Sequence, residues 1–267
     1  MLSAGRKVAL VTGGSSGIGL AAVKALTAAG VTVYEVSRRD ITIPGATHIP
    51  GNVTDEAAMQ SVVQTVLDRE GRLDILVCCA GFGISGAVEF TVLEAAKKQL
   101  DVNFFGVVNA VQAALPVMRE QGAGRIVLIS SVAGAIAIPF QTYYSVSKAA
   151  INSYACALRN EVRPYGVTVT AIMPGDITTG FTDAREKSPV GDDIYGGRIS
   201  RSVSRMEHDE RTGMSPDVAG AYIRRMCLKK SVPPTSSIGF TYKLLVMLTR
   251  LLPARLVSQV VYWMYAK

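Results

Sequence analysis

Short runs of β-branched and apolar residues alternate along this chain with longer segments whose apolar residues recur at helical spacing. The runs cover residues 7–12, 32–37, 73–78, 125–130 and 167–173. Each run is largely continuous in its apolar character, which is typical of parallel strands covered by helices on both faces. The pattern predicts an α/β fold in which a doubly wound parallel sheet of about seven strands forms a single domain over residues 1–267.

The amino-acid composition excludes several classes of protein. Hydrophobic residues make up 49% of the 267-residue chain and charged residues 18%, which excludes disorder and supplies a large core. The four cysteines and two histidines show no metal-ligand spacing, so we expect reduced thiols and no metal site. The strand pattern begins near residue 7 and leaves no room for a signal peptide, and we therefore expect a cytoplasmic protein.

A glycine-rich turn, TGGSSGIG at residues 12–19, joins the first predicted strand to a helix predicted from residue 18 to about residue 29. Glycines allow the backbone to approach a pyrophosphate, and the start of the helix offers free N–H groups to it. The alternative is a tight turn whose glycines only supply positive φ angles. The order of strand, loop and helix favours a dinucleotide site.

The second predicted strand ends in Ser37, Arg38 and Arg39. A hydroxyl and a guanidinium group at this position suit the 2′-phosphate of NADP(H), whereas an aspartate would accept a hydrogen bond from the free 2′-hydroxyl of NAD. The alternative is that both arginines are ordinary surface charges and that Asp40 contacts the ribose of NAD. The sequence predicts NADP(H) as the cofactor.

Tyr144 and Lys148 are four residues apart at the start of a predicted helix, so their side chains share one face. An ammonium beside a phenol favours the phenolate, and such a pair can exchange a proton with a carbonyl or alcohol oxygen. Ser131 lies thirteen residues upstream, at the end of a predicted strand, where its hydroxyl could hold the same oxygen. These three residues are candidate catalytic groups.

Five motifs, in their order and spacing, resemble the short-chain dehydrogenase/reductase family over roughly residues 6–180. They are TGGSSGIG, Asn103 in DVNFFG, Ser131, the Tyr144–Lys148 pair, and PGDITT at 174–179. The resemblance implies a Rossmann fold and a general acid/base role for Tyr144. Lys148 would lower the pKa of this tyrosine and hold the nicotinamide ribose. Ser131 would hold the substrate oxygen, and Asn103 would anchor a water that relays protons.

The resemblance also implies where the cofactor binds. The pyrophosphate would lie on the glycine-rich turn, the 2′-phosphate at the end of the second strand, and the nicotinamide beside the PGDITT motif. The implied cofactor-binding residues are Thr12, Gly13, Ser15, Ser16, Gly17, Ile18, Gly19, Ser37, Arg38, Arg39, Asn52, Val53, Ala80, Gly81, Asn103, Tyr144, Lys148, Pro174, Gly175, Ile177 and Thr179.

Two positions depart from the family pattern. Cys78-Cys79-Ala80-Gly81 stands where the family usually has Asn-Asn-Ala-Gly, and Asn52-Val53 stands where it usually has Asp-Val. Neighbouring cysteines at a buried strand end are interpreted as core thiols rather than a redox pair, because a bridge between adjacent residues is strained. Neither departure removes a catalytic group.

The expected substrate is a hydrophobic ketone, aldehyde or alcohol. The segment 180–214 is polar and charged, and the resemblance implies that this long loop is a substrate lid. The motifs resemble most the subgroup of hydroxysteroid dehydrogenases, retinol dehydrogenases and acyl-dihydroxyacetone-phosphate reductases. The expected substrate-contacting residues are Phe82, Ser131, Ile138, Phe140, Gln141, Tyr143 and Tyr144.

Residues 236–267 form a basic, apolar extension that predicts one or two amphipathic helices. Eight basic and no acidic residues follow Asp217. The extension could pack on the body, form a homodimer or homotetramer interface, or contact a membrane surface. It lacks the dispersed polar character that follows nucleic-acid phosphates, so no nucleic-acid partner is expected.

Two functions of different classes follow. The first is an NADP(H)-dependent oxidoreductase that interconverts a carbonyl and an alcohol on a steroid, retinoid or acyl ketone. The alternative is a non-catalytic NADP(H)-binding sensor or scaffold that docks through its basic extension. The complete Ser131, Tyr144 and Lys148 set favours the enzyme.

Overall fold

The computed structural model describes residues 6–267. The expectation about a signal peptide concerns in part residues 1–5, which lie outside the described residues. Seven parallel strands of the described chain form one sheet, and two short strands pair separately. In chain order the strands are β1 (Val8–Thr12), β2 (Thr32–Ser37), β3 (Ala46–Pro50), β4 (Ile75–Cys78), β5 (Ile84–Ser85), β6 (Gly124–Ile129), β7 (Val167–Met173), β8 (Glu186–Lys187) and β9 (Thr235–Ser237).

The sheet order is β3-β2-β1-β4-β6-β7-β9, and helices connect its strands. The helices are α1 (Gly17–Ala28), α2 (Glu56–Glu70), α3 (Leu93–Leu100), α4 (Gly106–Gln121), α5 (Thr142–Val162), α6 (Phe181–Ala184), α7 (Arg198–Arg211), α8 (Pro216–Leu228), α9 (Phe240–Leu251) and α10 (Ala254–Tyr265). The predicted doubly wound α/β fold is confirmed. The reversal of strand order between β1 and β4 creates a crevice at their carboxyl ends, where ligands of such sheets bind.

The five predicted strands are present, with ends that differ by no more than two residues. β3 and β9 were not located in the sequence, and they form the two edges of the sheet. Their residues are mostly half-buried and include polar side chains, so neither strand has the continuous apolar run that marks a central parallel strand.

The core consists of two apolar layers, one on each face of the sheet. Alternate residues of a strand belong to different layers, as Leu76 and Val77 of β4 show. The first layer packs against α2, α4 and α5, and the second packs against α1 and α8. Both faces of the sheet are covered by helices. Polar side chains at the ends of the central strands therefore lie along the edge of the sheet where the strands end, which we call the rim.

α3 and α4 form one helical run that contains a π turn at residues 101–105. Length and apolar composition alone would allow this run, Leu93–Gln121, to cross a membrane, and it is the one such run among residues 6–267. Val107, Val111 and Met118 pack in the core, and a core helix meets the same criterion.

The segment 180–214 differs from the predicted long loop. It contains α6, β8 and α7, and β8 pairs with β5. The amphipathic pattern of α7 was obscured by its many charged residues, although Ile199, Ser202 and Met206 on its inner face are buried. The C-terminal extension forms the two predicted helices, α9 and α10, which are separated at Pro253.

Leu76→Ala tests the central layer of the core. Leu76 is fully buried between β1 and β6, so we expect the substitution to lower the free energy of unfolding by about 2–5 kcal/mol. Leu251→Ala removes the same atoms at a site that is 71% exposed, and it should change that free energy by less than about 0.5 kcal/mol. Urea unfolding measures both, and equal effects would contradict this packing.

Candidate active site

The glycine-rich turn forms a cradle at the carboxyl end of β1, in which two glycines pack so closely on neighbouring backbone that no side chain would fit. A Cβ at Gly13, whose φ is +66°, would lie 2.7 Å from the backbone of Ala80. A Cβ at Gly19 would lie 2.2 Å from the carbonyl oxygen of Gly13. The side chain of Ser16 does not cap α1, so the first-turn N–H groups have no side-chain partner there. This cradle fits a pyrophosphate.

The end of β2 lies beside this turn. Arg39 donates a hydrogen bond from Nη2 to Oγ of Ser15 at 2.9 Å, and Ser37 donates from Oγ to the carbonyl oxygen of Arg39 at 3.3 Å. Arg38 is exposed, and among residues 6–267 it has no side-chain hydrogen bond. The Arg39 guanidinium and the Ser37 hydroxyl therefore lie next to the glycine-rich turn, and the exposed Arg38 stands between these two residues in the chain.

Tyr144 and Lys148 lie in the first two turns of α5. The Nζ atom of Lys148 is 5.6 Å from the centroid of the Tyr144 ring and donates a hydrogen bond to the carbonyl oxygen of Ile129 at 2.9 Å. Oγ of Ser130 donates to the carbonyl oxygen of Lys148 at 2.8 Å. These two bonds attach α5 to the end of β6.

Burial is the largest influence on both ionisable groups. It raises the pKa of Tyr144 to about 12 and lowers the pKa of Lys148 to about 8. The hydrogen bond from the hydroxyl of Ser131 opposes the rise in the pKa of Tyr144. Compared with water, the site therefore favours the neutral forms of both side chains. The resemblance implied that Lys148 lowers the pKa of Tyr144, but burial outweighs the favourable contacts and raises it in this structure.

Ser131 follows β6 directly and begins a short 3₁₀ helix, residues 132–134. Its Oγ accepts a hydrogen bond from the N–H of Ala133 at 3.1 Å. The next N–H, that of Val132, donates to the carbonyl oxygen of Pro174 at 2.9 Å. The loop that carries Ser131 is therefore joined to the PGDITT segment.

Asn103 lies in the π turn between α3 and α4 and is buried. Its Oδ1 accepts from the N–H of Phe82 at 3.0 Å, and its Nδ2 donates to the carbonyl oxygen of Phe82 at 2.9 Å and to Oγ of Ser147 at 3.1 Å. A Cβ at Gly81 would lie 3.1 Å from Oδ1 of Asn103 and 3.7 Å from Nζ of Lys148. The loop after β4 thus brings Asn103 and Lys148 close together.

The remaining cofactor candidates surround the same crevice. A Cβ at Gly17 would lie 3.5 Å from Cβ of Thr179, so the glycine-rich turn and the PGDITT segment are in contact. Ile177 pairs with Met214, and Val53 packs under α4, where Asn109 donates to its carbonyl oxygen at 2.9 Å. Asn52, Ala80, Pro174 and Gly175 lie in the loops that follow β3, β4 and β7, and Ile18 lies in the first turn of α1.

Most of the expected substrate residues lie in two places, the loop after β4 and the segment around the start of α5. Phe140 has a φ of +60°, which is unusual outside glycine, and its ring is buried against Tyr195 with centroids 5.8 Å apart. Ile138 donates its N–H to Oγ of Ser145 at 3.1 Å. Phe82, Ile138 and Tyr143 are partly exposed, whereas Phe140 and Gln141 are buried.

A buried ion pair beside Tyr144 was not predicted from the sequence. The side chain of Arg185 is completely buried and forms an ion pair with Glu210. It also donates hydrogen bonds to the amide oxygen of Gln141, the residue before α5. Its guanidinium lies over the ring of Phe181, which contacts the Tyr144 ring with centroids 5.6 Å apart. Both charged residues come from a polar stretch, where the sequence carries no signal that distinguishes buried from solvated charges.

The first helix of the extension also reaches this site. Tyr242 of α9 donates a hydrogen bond to Oδ2 of Asp176 at 2.6 Å. A Cβ at Gly175 would overlap the Tyr242 ring, so glycine is required there. Burial raises the pKa of Asp176, and the hydrogen bond from Tyr242 opposes that rise. Only the three-dimensional arrangement reveals this contact.

Residues 7–189 match the family model described as short chain dehydrogenase. The chain is 37% identical over 236 residues to a protein of Bacteroides thetaiotaomicron named 3-ketodihydrosphingosine reductase, with 87% of this chain and 88% of that protein covered. It is 31% identical over 253 residues to dehydrogenase/reductase SDR family member 7B of Danio rerio, with 88% of this chain and 79% of that protein covered.

Solved structures share the fold. A short-chain dehydrogenase from Streptomyces avermitilis is 30% identical and superposes with a TM-score of 0.81, covering 98% of this chain and 97% of that chain. ElxO, solved with NADP bound, is 22% identical with a TM-score of 0.74 over 89% of this chain and 99% of that chain, and this likeness concerns the fold alone.

A parallel nucleotide-binding sheet with a Tyr–Lys pair at its rim defines the general class, a nicotinamide-dependent oxidoreductase. The chain belongs to the short-chain dehydrogenase/reductase family, as the resemblance of its motifs indicated. Members of this family use nicotinamide cofactors, act on small substrates and often form oligomers.

Lys148→Met tests the burial of the ammonium group. The pKa of Lys148 is about 8 in the folded protein and 10.5 in its usual state, so between these two pH values the unfolded chain keeps a proton that the folded protein has released. Because the unfolded state binds more protons there, Lys148 makes the free energy of unfolding rise with pH. The variant should lose this rise, which is on the order of 3 kcal/mol. Urea unfolding across this range measures it, with the exposed Lys24→Met as control; parallel curves for wild type and Lys148→Met would contradict the burial.

Proposed function

We propose that this protein is an NADP(H)-dependent oxidoreductase that interconverts a ketone or aldehyde and an alcohol on a hydrophobic substrate. The observation that carries the proposal is the position of Lys148 5.6 Å from the ring of Tyr144, at the same rim as the glycine-rich cradle. The second arrangement that supports it is the attachment of the Ser131 loop to the PGDITT segment. We expect residues 1–267 to form a single domain that carries the whole site.

In the proposed reduction, Tyr144 donates its phenolic proton to the carbonyl oxygen of the substrate. Ser131 holds this oxygen by a hydrogen bond, and NADPH, when bound, supplies the hydride that reaches the carbonyl carbon. The products are the alcohol and NADP⁺, and the reverse reaction returns the proton to the phenolate. Lys148 stabilises the phenolate by its charge, and Asn103 holds the backbone at Phe82 and a water that returns the proton from solvent.

The preferred substrate is a ketone that carries a long apolar chain. Phe82, Ile138 and Tyr143 supply partly exposed apolar surface in the loop after β4 and around the start of α5, and the segment 180–214 would cover the site as a lid. Phe140, which was also expected to contact the substrate, is instead buried against Tyr195. The 37% identity to a relative named 3-ketodihydrosphingosine reductase supports a 3-keto long-chain base as the first compound to test. Steroid and retinoid ketones, and acyl-dihydroxyacetone phosphate, complete the panel.

The preference for NADP(H) rests on the charge at the end of β2. Arg39 has its guanidinium beside the glycine-rich turn, the exposed Arg38 precedes it, and Ser37 adds a hydroxyl donor. Asp40, the candidate for binding NAD, follows them. We further propose that the enzyme is cytoplasmic, forms a homodimer or homotetramer, and contacts a membrane surface through residues 236–267.

Tyr144→Phe tests the acid/base role. Loss of the hydroxyl removes the proton donor but keeps the ring that packs on Phe181, so kcat with NADPH and a long-chain ketone should fall at least about 100-fold while NADPH still binds. Tyr165→Phe, at a half-exposed site after α5, is the matched control and should retain activity. Unchanged turnover in Tyr144→Phe would overturn the mechanism. Cofactor binding without turnover of any tested compound by the wild type would favour the sensor.

Arg38→Ala tests the choice of cofactor. If the guanidinium contacts the 2′-phosphate, the Kd for NADPH should rise about 10-fold to 100-fold while the Kd for NADH stays the same. Arg119→Ala removes an exposed guanidinium at the far end of α4 and should alter neither constant. Titrations followed by nicotinamide fluorescence measure the Kd for NADPH and the Kd for NADH in the wild type and in both variants. Tighter binding of NADH than of NADPH by the wild type would instead assign the ribose contact to Asp40.

A further inference from the structure

A basic cavity lies between α8, β9 and α9, away from the Tyr144 site. Its volume is about 370 Å³, and four cationic side chains line it: Arg225, Lys229, Lys243 and Arg250. Within the described part of the chain none of the four is in an ion pair, and no acidic side chain lines the cavity. The cavity therefore has a concentrated positive charge that the protein itself does not neutralise.

Hydroxyl groups of β9 complete the lining of this cavity. Oγ of Ser236 is buried and has no hydrogen-bond partner among the described residues. Oγ1 of Thr235 accepts a hydrogen bond from Nη2 of Arg250 at 3.3 Å. Several cations and a hydroxyl donor around one space match the oxygen atoms of a phosphate group.

The outer face of α9 begins at the edge of this cavity and is apolar. Phe240, Leu244, Met247 and Leu251 recur at the spacing of one helical face, and all four side chains are exposed, with Phe240 at 83%. Met247 also lines the cavity, so the basic and apolar surfaces are contiguous.

The second helix of the extension continues the apolar surface. Leu256, Val260 and Trp263 of α10 have the same helical spacing and are each more than half exposed. Nζ of Lys267 lies 5.0 Å from the centroid of the Trp263 ring. An aromatic ring with a neighbouring ammonium is typical of the boundary between lipid headgroups and acyl chains.

The inner face of the extension is already occupied by the protein body. Val246 is buried, Tyr242 is bonded to Asp176, and Ala266 packs against the cluster that contains Phe140 and Ile199. The helices are therefore held in place, and their exposed side chains belong to a fixed outer surface. Contiguous apolar patches of this kind on a folded protein mark interaction sites.

We propose that this cavity binds the phosphate of an anionic phospholipid and that the apolar face of α9 and α10 enters the outer layer of the same bilayer, which rests on the membrane contact proposed above for residues 236–267. The charge decides between a bilayer and a second copy of this chain. A symmetric dimer through this face would place Lys243 and Arg250 of both copies in one interface, and residues 218–267 supply no acidic side chain to pair with them. An anionic membrane surface is complementary to both the cations and the apolar side chains.

Fluorescence of Trp263 reports the docking directly, because this chain has one tryptophan. The full-length protein is titrated with equimolar phosphatidylcholine/phosphatidylglycerol vesicles and with pure phosphatidylcholine vesicles. We expect a blue shift and quenching by brominated lipid with the anionic vesicles, and affinity that is at least about tenfold weaker for the neutral ones. The readout involves no turnover, so it is independent of the proposed carbonyl chemistry.

The double variant Lys243→Glu/Arg250→Glu tests the headgroup site. It should weaken binding to anionic vesicles at least about tenfold, whereas Lys24→Glu together with Arg119→Glu, the same change at exposed sites on α1 and α4, should weaken it much less. Thermal unfolding and NADPH binding show whether each variant is folded. If the double variant does not fold, the single variant Lys243→Gln replaces it.

Three results would overturn the proposal. Equal vesicle binding by the wild type and the folded charge variant would exclude the headgroup site. A blue shift of Trp263 that depends on protein concentration, without vesicles, would assign the apolar face to self-association. Saturation of the cavity by inorganic phosphate with no vesicle binding would assign it to a free anion.

Discussion

The parallel sheet is covered by helices on both faces, and this burial determines where the protein can perform polar chemistry. Central strands such as β4 alternate between two apolar layers and present no polar side chain to solvent. Polar groups can therefore gather only where the strands end. The glycine-rich turn, the Ser131 loop and the PGDITT segment all lie at one such edge, because parallel strands end on the same side of the sheet.

Burial at this rim removes water from polar groups, and several of these groups have protein partners instead. The ammonium of Lys148 has a carbonyl partner on β6, and Asn103 bonds both backbone atoms of Phe82. Arg185 is paired with Glu210. Breaking one partner of such a set leaves the other uncompensated, so the same contacts that tune Tyr144 also hold the surrounding loops in place.

Much of this arrangement could be predicted from the sequence. Continuous apolar runs mark strands buried on both faces, and helical spacing alone predicts that Tyr144 and Lys148 lie on one side of α5. The edge strands β3 and β9 could not be found in this way, because half-buried strands lack such runs. α7 was missed since its charged residues outnumber the few that it buries, Ile199 and Met206 among them.

Contacts between distant segments have no local pattern, and the bond between Tyr242 and Asp176 is the clearest case. These residues are 66 positions apart, yet the Tyr242 ring covers Gly175 in the segment expected beside the nicotinamide. The outer face of the same helix is apolar and borders a cluster of cations. α9 is therefore shared between the catalytic rim and the surface proposed to meet a bilayer. The inner face of α9 therefore packs on the cofactor loop, and its outer face remains free to meet another surface.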